Sequence, residues 1–220
     1  MNRAATIYEL LLERFGPQHW WPAETPFEVI VGALLMPQTS WRNVEAAIRN
    51  LKGARMLAPA EIASAPLAQL TSLIRPAGLH RTKPRRLRDF CRHIMKAGGG
   101  DVAAFLDRDI GVLRAELLSL DGVGPETADS ILLYAANRRV FVVDAYTRRV
   151  GRRVGLFDFD DYDAVKGYFE ASVAADVGVY QEFHALIVEL AKRNCRPRPL
   201  CDHCPLSGVC DYAGQESGRR

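Results

Sequence analysis

Long apolar runs are absent from this sequence, since none reaches the ~18 residues that a membrane-spanning helix requires. The first residues are partly apolar, but Glu9 and Glu13 interrupt them, which indicates an amphipathic helix and not a signal peptide. Repeats, low-complexity tracts and flexible linkers are also lacking. These absences argue against a membrane protein and a secreted chain, and we expect a cytoplasmic protein with no membrane partner.

Signals for β-structure are scarce as well, because only residues 139–143 form a short β-like run and no hairpin is evident. Helix signals are frequent instead. The letters TPFE at 25–28 match a capping box with proline at the first helical position, and an apolar run at 29–35 follows them. Further helices are predicted at 40–48, 66–74, 82–95 and 185–190. We therefore predict an all-α fold for the 220 residues.

The net charge is small, at +3, and does not by itself indicate a nucleic-acid partner. The basic residues are unevenly distributed, however, with one cluster at 81–92 and a second at 138–153. Such clusters can bind phosphates, or they can be the solvated faces of two helices. The sequence leaves both interpretations open.

A glycine-containing turn separates two predicted helices at residues 117–128, LLSLDGVGPETA. Gly122 and Gly124 suit a tight turn that needs positive φ and a close backbone approach, and Pro125 begins a helix expected to reach about residue 137. Backbone N–H groups at the start of that helix, with the helix dipole, can bind a phosphate. The alternative is an ordinary helix–turn–helix corner without a ligand.

An acidic residue, Asp144, follows the apolar run FVV at 141–143 and precedes a predicted helix. Aspartate is a common N-cap, so this residue is a cap, a catalytic group, or both.

Four of the five cysteines are clustered near the carboxyl terminus, with the spacing C-x5-C-x2-C-x5-C at Cys195, Cys201, Cys204 and Cys210. Cys91 is separate and is expected to be a free thiol. Disulfides are not expected, because nothing indicates secretion. Four thiolates suit either a zinc ion or an iron–sulfur cluster, and the spacing alone does not decide between them.

The segments LDGVGPETADSILLYA and VFVVDAYTRRV resemble the helix-hairpin-helix, Gly/Pro-rich, Asp (HhH-GPD) DNA glycosylases, of which endonuclease III is a member. The resemblance extends from Trp20 to Cys210, with hairpin, aspartate and cysteines in the family's order. It implies a base-excision enzyme acting as a monomer on double-stranded DNA that contains damaged bases, at the nucleoid if the source is bacterial. The residues that it implies at the DNA in the hairpin are Gly122, Val123, Gly124, Glu126 and Thr127.

The same resemblance implies a catalytic role for Asp144 beside the deoxyribose of a flipped-out nucleotide. A carboxylate there stabilises the positive charge that develops on the sugar, and it can also orient or deprotonate water. The base must leave the helical stack before this chemistry.

For the cysteines, the resemblance implies a [4Fe–4S] cluster that is structural and positions DNA. The family usually has a first gap one residue longer than the five residues found here, so the loop differs while the ligands match. Arg196 and Arg198 match the basic residues that this loop presents to DNA.

Bifunctional family members have a lysine at the position of Glu126. A carboxylate cannot form the Schiff base that this amine forms with the sugar, so we predict a monofunctional enzyme that uses water. Lys83 and Lys192 are the alternative amines that we considered.

The amino-terminal third, with HWWP at 19–22 and QTSW at 38–41, resembles the 3-methyladenine DNA glycosylases. Trp20, Trp21 and Trp41 match aromatic residues that sandwich the base, and stacking on indoles suits a cationic alkylated purine. Gln38 matches the residue that fills the gap left by the flipped base, and Lys192 is a further pocket candidate. The alternative is that these tryptophans are core residues.

We expect two helical domains with the active site in the cleft between them. A six-helix module with the hairpin is predicted at 26–135, and residues 1–25 with 136–220 are predicted to form the second, cluster-bearing domain. The leading function is removal of an alkylated purine such as 3-methyladenine. The alternatives are an endonuclease III-like glycosylase and AP lyase on oxidised pyrimidines, an enzyme for mismatched thymine or uracil, and a catalytically silent DNA- or lesion-binding protein.

Overall fold

The structure is a computed structural model that describes residues 2–217, with side chains up to Gln215. The fold of this part is all-α. This described part contains no β-strand, which confirms the predicted fold class. Its α-helices are α1 (Arg3–Phe15), α2 (Pro26–Leu35), α3 (Trp41–Gly53), α4 (Pro59–Ser64), α5 (Leu67–Leu73), α6 (Lys83–Gly98), α7 (Val102–Leu106), α8 (Ile110–Leu118), α9 (Pro125–Ser130), α10 (Ala145–Arg153), α11 (Tyr162–Ser172), α12 (Val177–Arg193) and α13 (Asp211–Ser217). Short 3-10 turns lie at Arg75–Ala77, Cys201–His203 and Ser207–Val209, and a π-helical turn lies at Ile131–Ala135.

The helices group into two compact units. The central unit comprises Trp21–Arg138 and holds α2 to α9. The terminal unit comprises the described residues up to Trp20 together with those from Arg139 onward, and it holds α1 and α10 to α13. None of the described helices is long and apolar enough to cross a membrane.

Helix α2 is the buried helix of the central unit, and it packs against α3, α6 and the π-helical turn. Its start is a variant of the predicted capping box. Thr25 Oγ1 accepts from the Glu28 N–H at 3.2 Å, but Glu28 Oε2 accepts from the Glu24 N–H, one residue before the N-cap. Glu28 is buried and paired with Lys52, whose Nζ lies 2.9 Å from Oε2.

The first basic cluster is only partly available to a phosphate. Lys83 is buried, and its Nζ donates to the carbonyls of Leu35 and Ala77, each at 2.8 Å. Burial lowers the pKa of this ammonium group. Arg86 is held by Asp121. Lys83 therefore has a structural role, because its ammonium group links the end of α2 to the 3-10 turn at Arg75–Ala77.

The terminal unit is organised around α12, which packs against α1 and α10. The β-like run at 139–143 belongs to this unit but forms no strand. Residues 140–143 are buried without regular secondary structure, and two of their N–H groups face side chains: the Phe141 N–H donates to Glu170 Oε1 at 2.9 Å, and the Val143 N–H faces the Tyr162 hydroxyl at 3.4 Å. Burial explains the apolar, β-branched composition without a partner strand.

Several predicted helix ends need correction. Helix α3 runs to Gly53, beyond the predicted residue 48. Helix α8 ends at Leu118, so Leu120 lies in the turn. The second hairpin helix ends as a π-helical turn at Ala135, two residues before the predicted end. Boundaries of this kind depend on tertiary packing more than on local propensity.

Candidate active site

The hairpin consists of α8, residues 119–124 and α9, and its two glycines differ. Gly122 has φ +81°, and a Cβ there would clash with the Arg86 side chain. Gly124 has an ordinary extended backbone, with φ −91° and ψ 176°, so the positive φ predicted for both glycines holds only for Gly122. A Cβ on Gly124 would meet nothing within 4 Å. The start of α9 is thus open to the close approach of a ligand.

The remaining hairpin residues that were predicted to contact DNA differ in their exposure to solvent. Glu126 is exposed in the first turn of α9, whereas Val123 and Thr127 are buried. Any DNA contact of the two buried residues must therefore use main-chain groups.

A buried ion pair that sequence reasoning missed joins the two hairpin helices. Arg114 on α8 donates to both carboxylate oxygens of Asp129 on α9, with Nε–Oδ1 at 2.7 Å and Nη2–Oδ2 at 3.1 Å. The Asp129 side chain is fully buried and that of Arg114 is 22% exposed. A bidentate, charge-assisted pair fixes both distance and orientation, so it sets the geometry of the hairpin. The available signal was an acidic residue on the buried face of a helix.

Trp21, Trp41 and Tyr134 form an aromatic group in the central unit. The Trp21 ring centroid lies 5.3 Å from that of Trp41 with the planes at 90°, and 5.3 Å from that of Tyr134. Trp21 also covers Gly32 of α2, where an added Cβ would lie 3.0 Å from the ring. Both tryptophans are half-buried. The edge-to-face contact leaves no space for a base between Trp21 and Trp41, so a base can stack only on their remaining faces.

Trp20, the third predicted pocket residue, belongs to the terminal unit. Lys192 Nζ lies 5.8 Å from its ring centroid, in the range of a cation–π interaction. The structure thus brings together the two pocket candidates Trp20 and Lys192, which are far apart in sequence.

Four exposed residues of the central unit other than glycine have positive φ: Gln38, Arg55, Leu79 and Asn137. Gln38, between α2 and α3, has φ +58°, and Leu79, before α6, has φ +47° and is 43% exposed. Positive φ is costly for a residue with a side chain, and such strain concentrates at functional sites. Gln38 was predicted at the site, whereas Leu79 was not singled out from the sequence, where it is an isolated apolar residue beside Gly78.

Asp144 is the N-cap of α10. Its Oδ1 accepts from the Thr147 N–H at 2.6 Å, and its Oδ2 lies 3.6 Å from His184 Nε2. The side chain is 15% exposed. Burial raises the pKa of the carboxyl, but His184 and Thr147 act in the opposite direction and hold the pKa below its usual value. Asp144 is therefore ionised at neutral pH.

The four cysteines near the carboxyl terminus, here called the cysteine site, line one cavity. None of them forms a disulfide. Within residues 2–217, no three His, Cys, Asp or Glu side chains converge so as to hold a single metal ion. A zinc ion needs its thiolates within about 2.3 Å of one point, whereas a cluster binds each thiolate through a different iron. Four thiols around one cavity provide the soft ligands that suit either a zinc ion or an iron–sulfur cluster. Cys91 is buried elsewhere, and burial raises its pKa, which makes it unreactive.

Two arginines of the second basic cluster, Arg149 and Arg153, support the cysteine site. Arg149 Nε donates to the Cys195 carbonyl at 2.8 Å. Arg153 donates to the Pro197 carbonyl at 3.0 Å, and its Nη1 lies 3.5 Å from Cys195 Sγ. These arginines project from α10, so the helix that Asp144 caps also supports the cysteine loop. In that loop Arg196 and Arg198 are exposed.

Comparison with known proteins places the chain in a family. Residues 31–175 match the model of the HhH-GPD superfamily of base excision DNA repair proteins. A Methanocaldococcus jannaschii protein assigned as a DNA repair glycosylase is 48% identical over 206 residues, which cover 93% of this chain and 94% of that protein. The chain belongs to the HhH-GPD superfamily. The predicted family is thereby confirmed.

Solved structures of HhH-GPD proteins share the fold. A 3-methyladenine DNA glycosylase from H. pylori, bound to 1,N6-ethenoadenine, is 28% identical with a TM-score of 0.76, and the match covers 86% of this chain and 97% of that one. A non-covalent endonuclease III–DNA complex aligns over 100% of both chains with a TM-score of 0.83, and its 24% identity shows the fold alone. This HhH-GPD chain is accordingly a DNA N-glycosylase, as predicted.

Proposed function

We propose that this glycosylase hydrolyses the N-glycosidic bond of an alkylated purine, such as 3-methyladenine, in double-stranded DNA without cleaving the strand. The observation that carries the proposal is the ionised, largely buried carboxylate of Asp144. Loss of the base creates positive charge on the sugar, and a fixed negative charge in a site of low dielectric stabilises that charge strongly. The same carboxylate orients water or accepts a proton from it.

Water is the proposed nucleophile because Glu126, a carboxylate, stands where bifunctional relatives have the attacking lysine. Lys83, one alternative amine, is buried and donates to two carbonyls, and Lys52 is paired with Glu24 and Glu28. Lys192, the other alternative, is exposed and lies over Trp20.

The substrate class is supported by the aromatic residues. Alkylation can leave a purine cationic, and a cationic ring stacks favourably on an electron-rich indole face. The half-buried rings of Trp20, Trp21 and Trp41 are candidates for such a platform. Similarity to the H. pylori enzyme, whose structure contains an ethenoadenine, supports the same class. Alkylation also weakens the N-glycosidic bond of a purine, so its release requires little acid catalysis at the leaving base.

The proposed DNA contacts are main-chain groups of α9, two arginines of the cysteine loop, and the loops that contain Gln38 and Leu79. The open start of α9 suits a phosphate, and the exposed Arg196 and Arg198 add charge-assisted contacts. Gln38 would fill the gap left by the flipped base. Leu79 suits an apolar wedge between base steps, as proteins that unstack DNA use. We expect a monomer to suffice.

The cysteine site is proposed to hold a [4Fe–4S] cluster through Cys195, Cys201, Cys204 and Cys210. When bound, the cluster supplies a rigid cross-link of the carboxyl-terminal loop and takes no part in base removal. Arg149 and Arg153 hold that loop against α10.

The substrate is tested by measuring base release from matched duplexes that carry 3-methyladenine, an oxidised pyrimidine, or thymine or uracil opposite guanine. The proposal predicts the largest single-turnover rate on the alkylated purine. Faster release of the oxidised pyrimidine or the mismatched base would replace the proposed substrate. Binding to abasic DNA without release of any base would mean that the protein is catalytically silent.

A further inference from the structure

His184, on α12, faces the carboxylate oxygen of Asp144 that does not cap a helix. Its Nε2 lies 3.6 Å from Asp144 Oδ2, while Oδ1 is occupied by the Thr147 N–H. The His184 side chain is only 8% exposed. The Phe141 ring packs against the imidazole at nearly a right angle, with centroids 6.5 Å apart. A polar ring is thus enclosed in the aromatic core beside the proposed catalytic group.

The chemistry of Asp144 creates a need for such a neighbour. A carboxylate removed from water favours its neutral form, and a neutral acid would not stabilise a positive sugar. The cap bond to the Thr147 N–H stabilises the charge at one oxygen only. A donor near the second oxygen opposes protonation there. At 3.6 Å it lies beyond normal hydrogen-bond length, so the Oδ2 lone pairs remain available to water or the sugar.

We propose that His184 is a positioning residue for base excision, which holds the Asp144 carboxylate ionised and in one orientation by presenting Nε2 to Oδ2. The inference rests on the proposed catalytic role of Asp144. His184 itself touches neither the sugar nor the base in this scheme. The groups that act on the carboxylate are the His184 ring and the backbone N–H and hydroxyl of Thr147, and burial acts against them.

Two substitutions at position 184 separate polarity from packing. Leucine removes the donor while filling much of the space, and glutamine retains an uncharged donor of similar reach. Leu186→Ala is the matched control, because Leu186 is also fully buried in α12 but carries no polar group. Thermal unfolding and affinity for abasic duplex are measured for every variant, so that loss of folding or of DNA binding is seen separately from loss of chemistry.

The readout is the single-turnover rate of 3-methyladenine release as a function of pH. His184→Leu is expected to be roughly 10- to 100-fold slower at neutral pH with unchanged DNA affinity, and His184→Gln within about 5-fold of the native rate. Without His184, burial acts on Asp144 with less opposition, so the acid limb of the His184→Leu profile moves to higher pH than the native limb. Leu186→Ala is expected to change the melting temperature but leave the profile unmoved.

Native excision by His184→Leu, or an acid limb at the native position, would overturn the inference. Failure of the underlying function is recognised separately through Asp144→Asn. If Asp144→Asn excises at the native rate, the role of Asp144 is wrong. If Asp144→Asn is slow while His184→Leu is native, only the role of His184 is wrong.

Discussion

Replacing Asp144 by asparagine and by alanine separates its two roles, as a helix cap and as a charge. In the structure, Oδ1 accepts from the Thr147 N–H at 2.6 Å and the carboxylate is ionised. Asparagine is as good an N-cap as aspartate, so Asp144→Asn keeps the cap and removes only the charge. Asp144→Ala removes both.

The magnitudes follow from these two contacts. Loss of a cap costs about 1 kcal/mol, which for a chain of 220 residues lowers the melting temperature of Asp144→Ala by about 2–4 °C. The pKa of Asp144 is depressed in the folded state, so ionisation adds stability above the pKa of the unfolded chain, about 3.9, that is lost as the pH falls through the folded value. Asp144→Asn lacks this contribution, so its small stability deficit is greatest at neutral pH.

Activity responds differently from stability. Removing a preorganised charge from a reacting centre costs about 10²- to 10³-fold in rate, so both variants should lose base excision to that extent. The assay pairs single-turnover release of 3-methyladenine with thermal unfolding on the same samples. Retention of excision by Asp144→Asn would refute the catalytic role. Equal destabilisation by asparagine and alanine would refute the capping argument.

Three further predictions concern other parts of the molecule. Asp129→Ala removes the buried carboxylate that Arg114 binds through two hydrogen bonds and should cost roughly 2–4 kcal/mol, whereas Asp121→Ala, at an exposed pair, should leave chemical unfolding unchanged. The purified protein should be yellow-brown with absorbance near ~400 nm, which zinc cannot produce. Replacing any of the four clustered cysteines by serine should weaken that absorbance and lower the melting temperature. Replacing Arg196 and Arg198 together by alanine should reduce the magnitude of the slope of log affinity for DNA against log salt concentration by about 2. The slope is measured by titration at several salt concentrations. An unchanged slope would mean that neither arginine contacts DNA phosphates.

Features that depend on local sequence were predictable. The all-α class and the N-cap positions of Thr25 and Asp144 follow from spacing and residue type within one or two helical turns. The cysteine spacing located four thiols that line one cavity. The family resemblance rested on the same short motifs, and the match over residues 31–175 supports it.

Features that depend on distant partners were not predictable. Lys83 looked like one of several phosphate-binding cations, but it is buried by carbonyls of two other elements. Residues 139–143 have the composition of a strand because most of them are buried. The Phe141 N–H donates to the side chain of Glu170, 29 positions along the chain, and not to a partner strand. His184 lay at the edge of a predicted buried helix with no signal that its ring would face Asp144. Each of these depends on packing that no single segment encodes.

Hydrolysis by water at Asp144 is tested by examining the strand of a 3-methyladenine duplex after base release. We expect an intact strand that breaks only after alkali, together with no protein–DNA adduct when borohydride is present. Cleavage before alkali with a borohydride-trapped adduct would mean that an amine of this chain attacks the sugar, and it would contradict hydrolysis by water at Asp144.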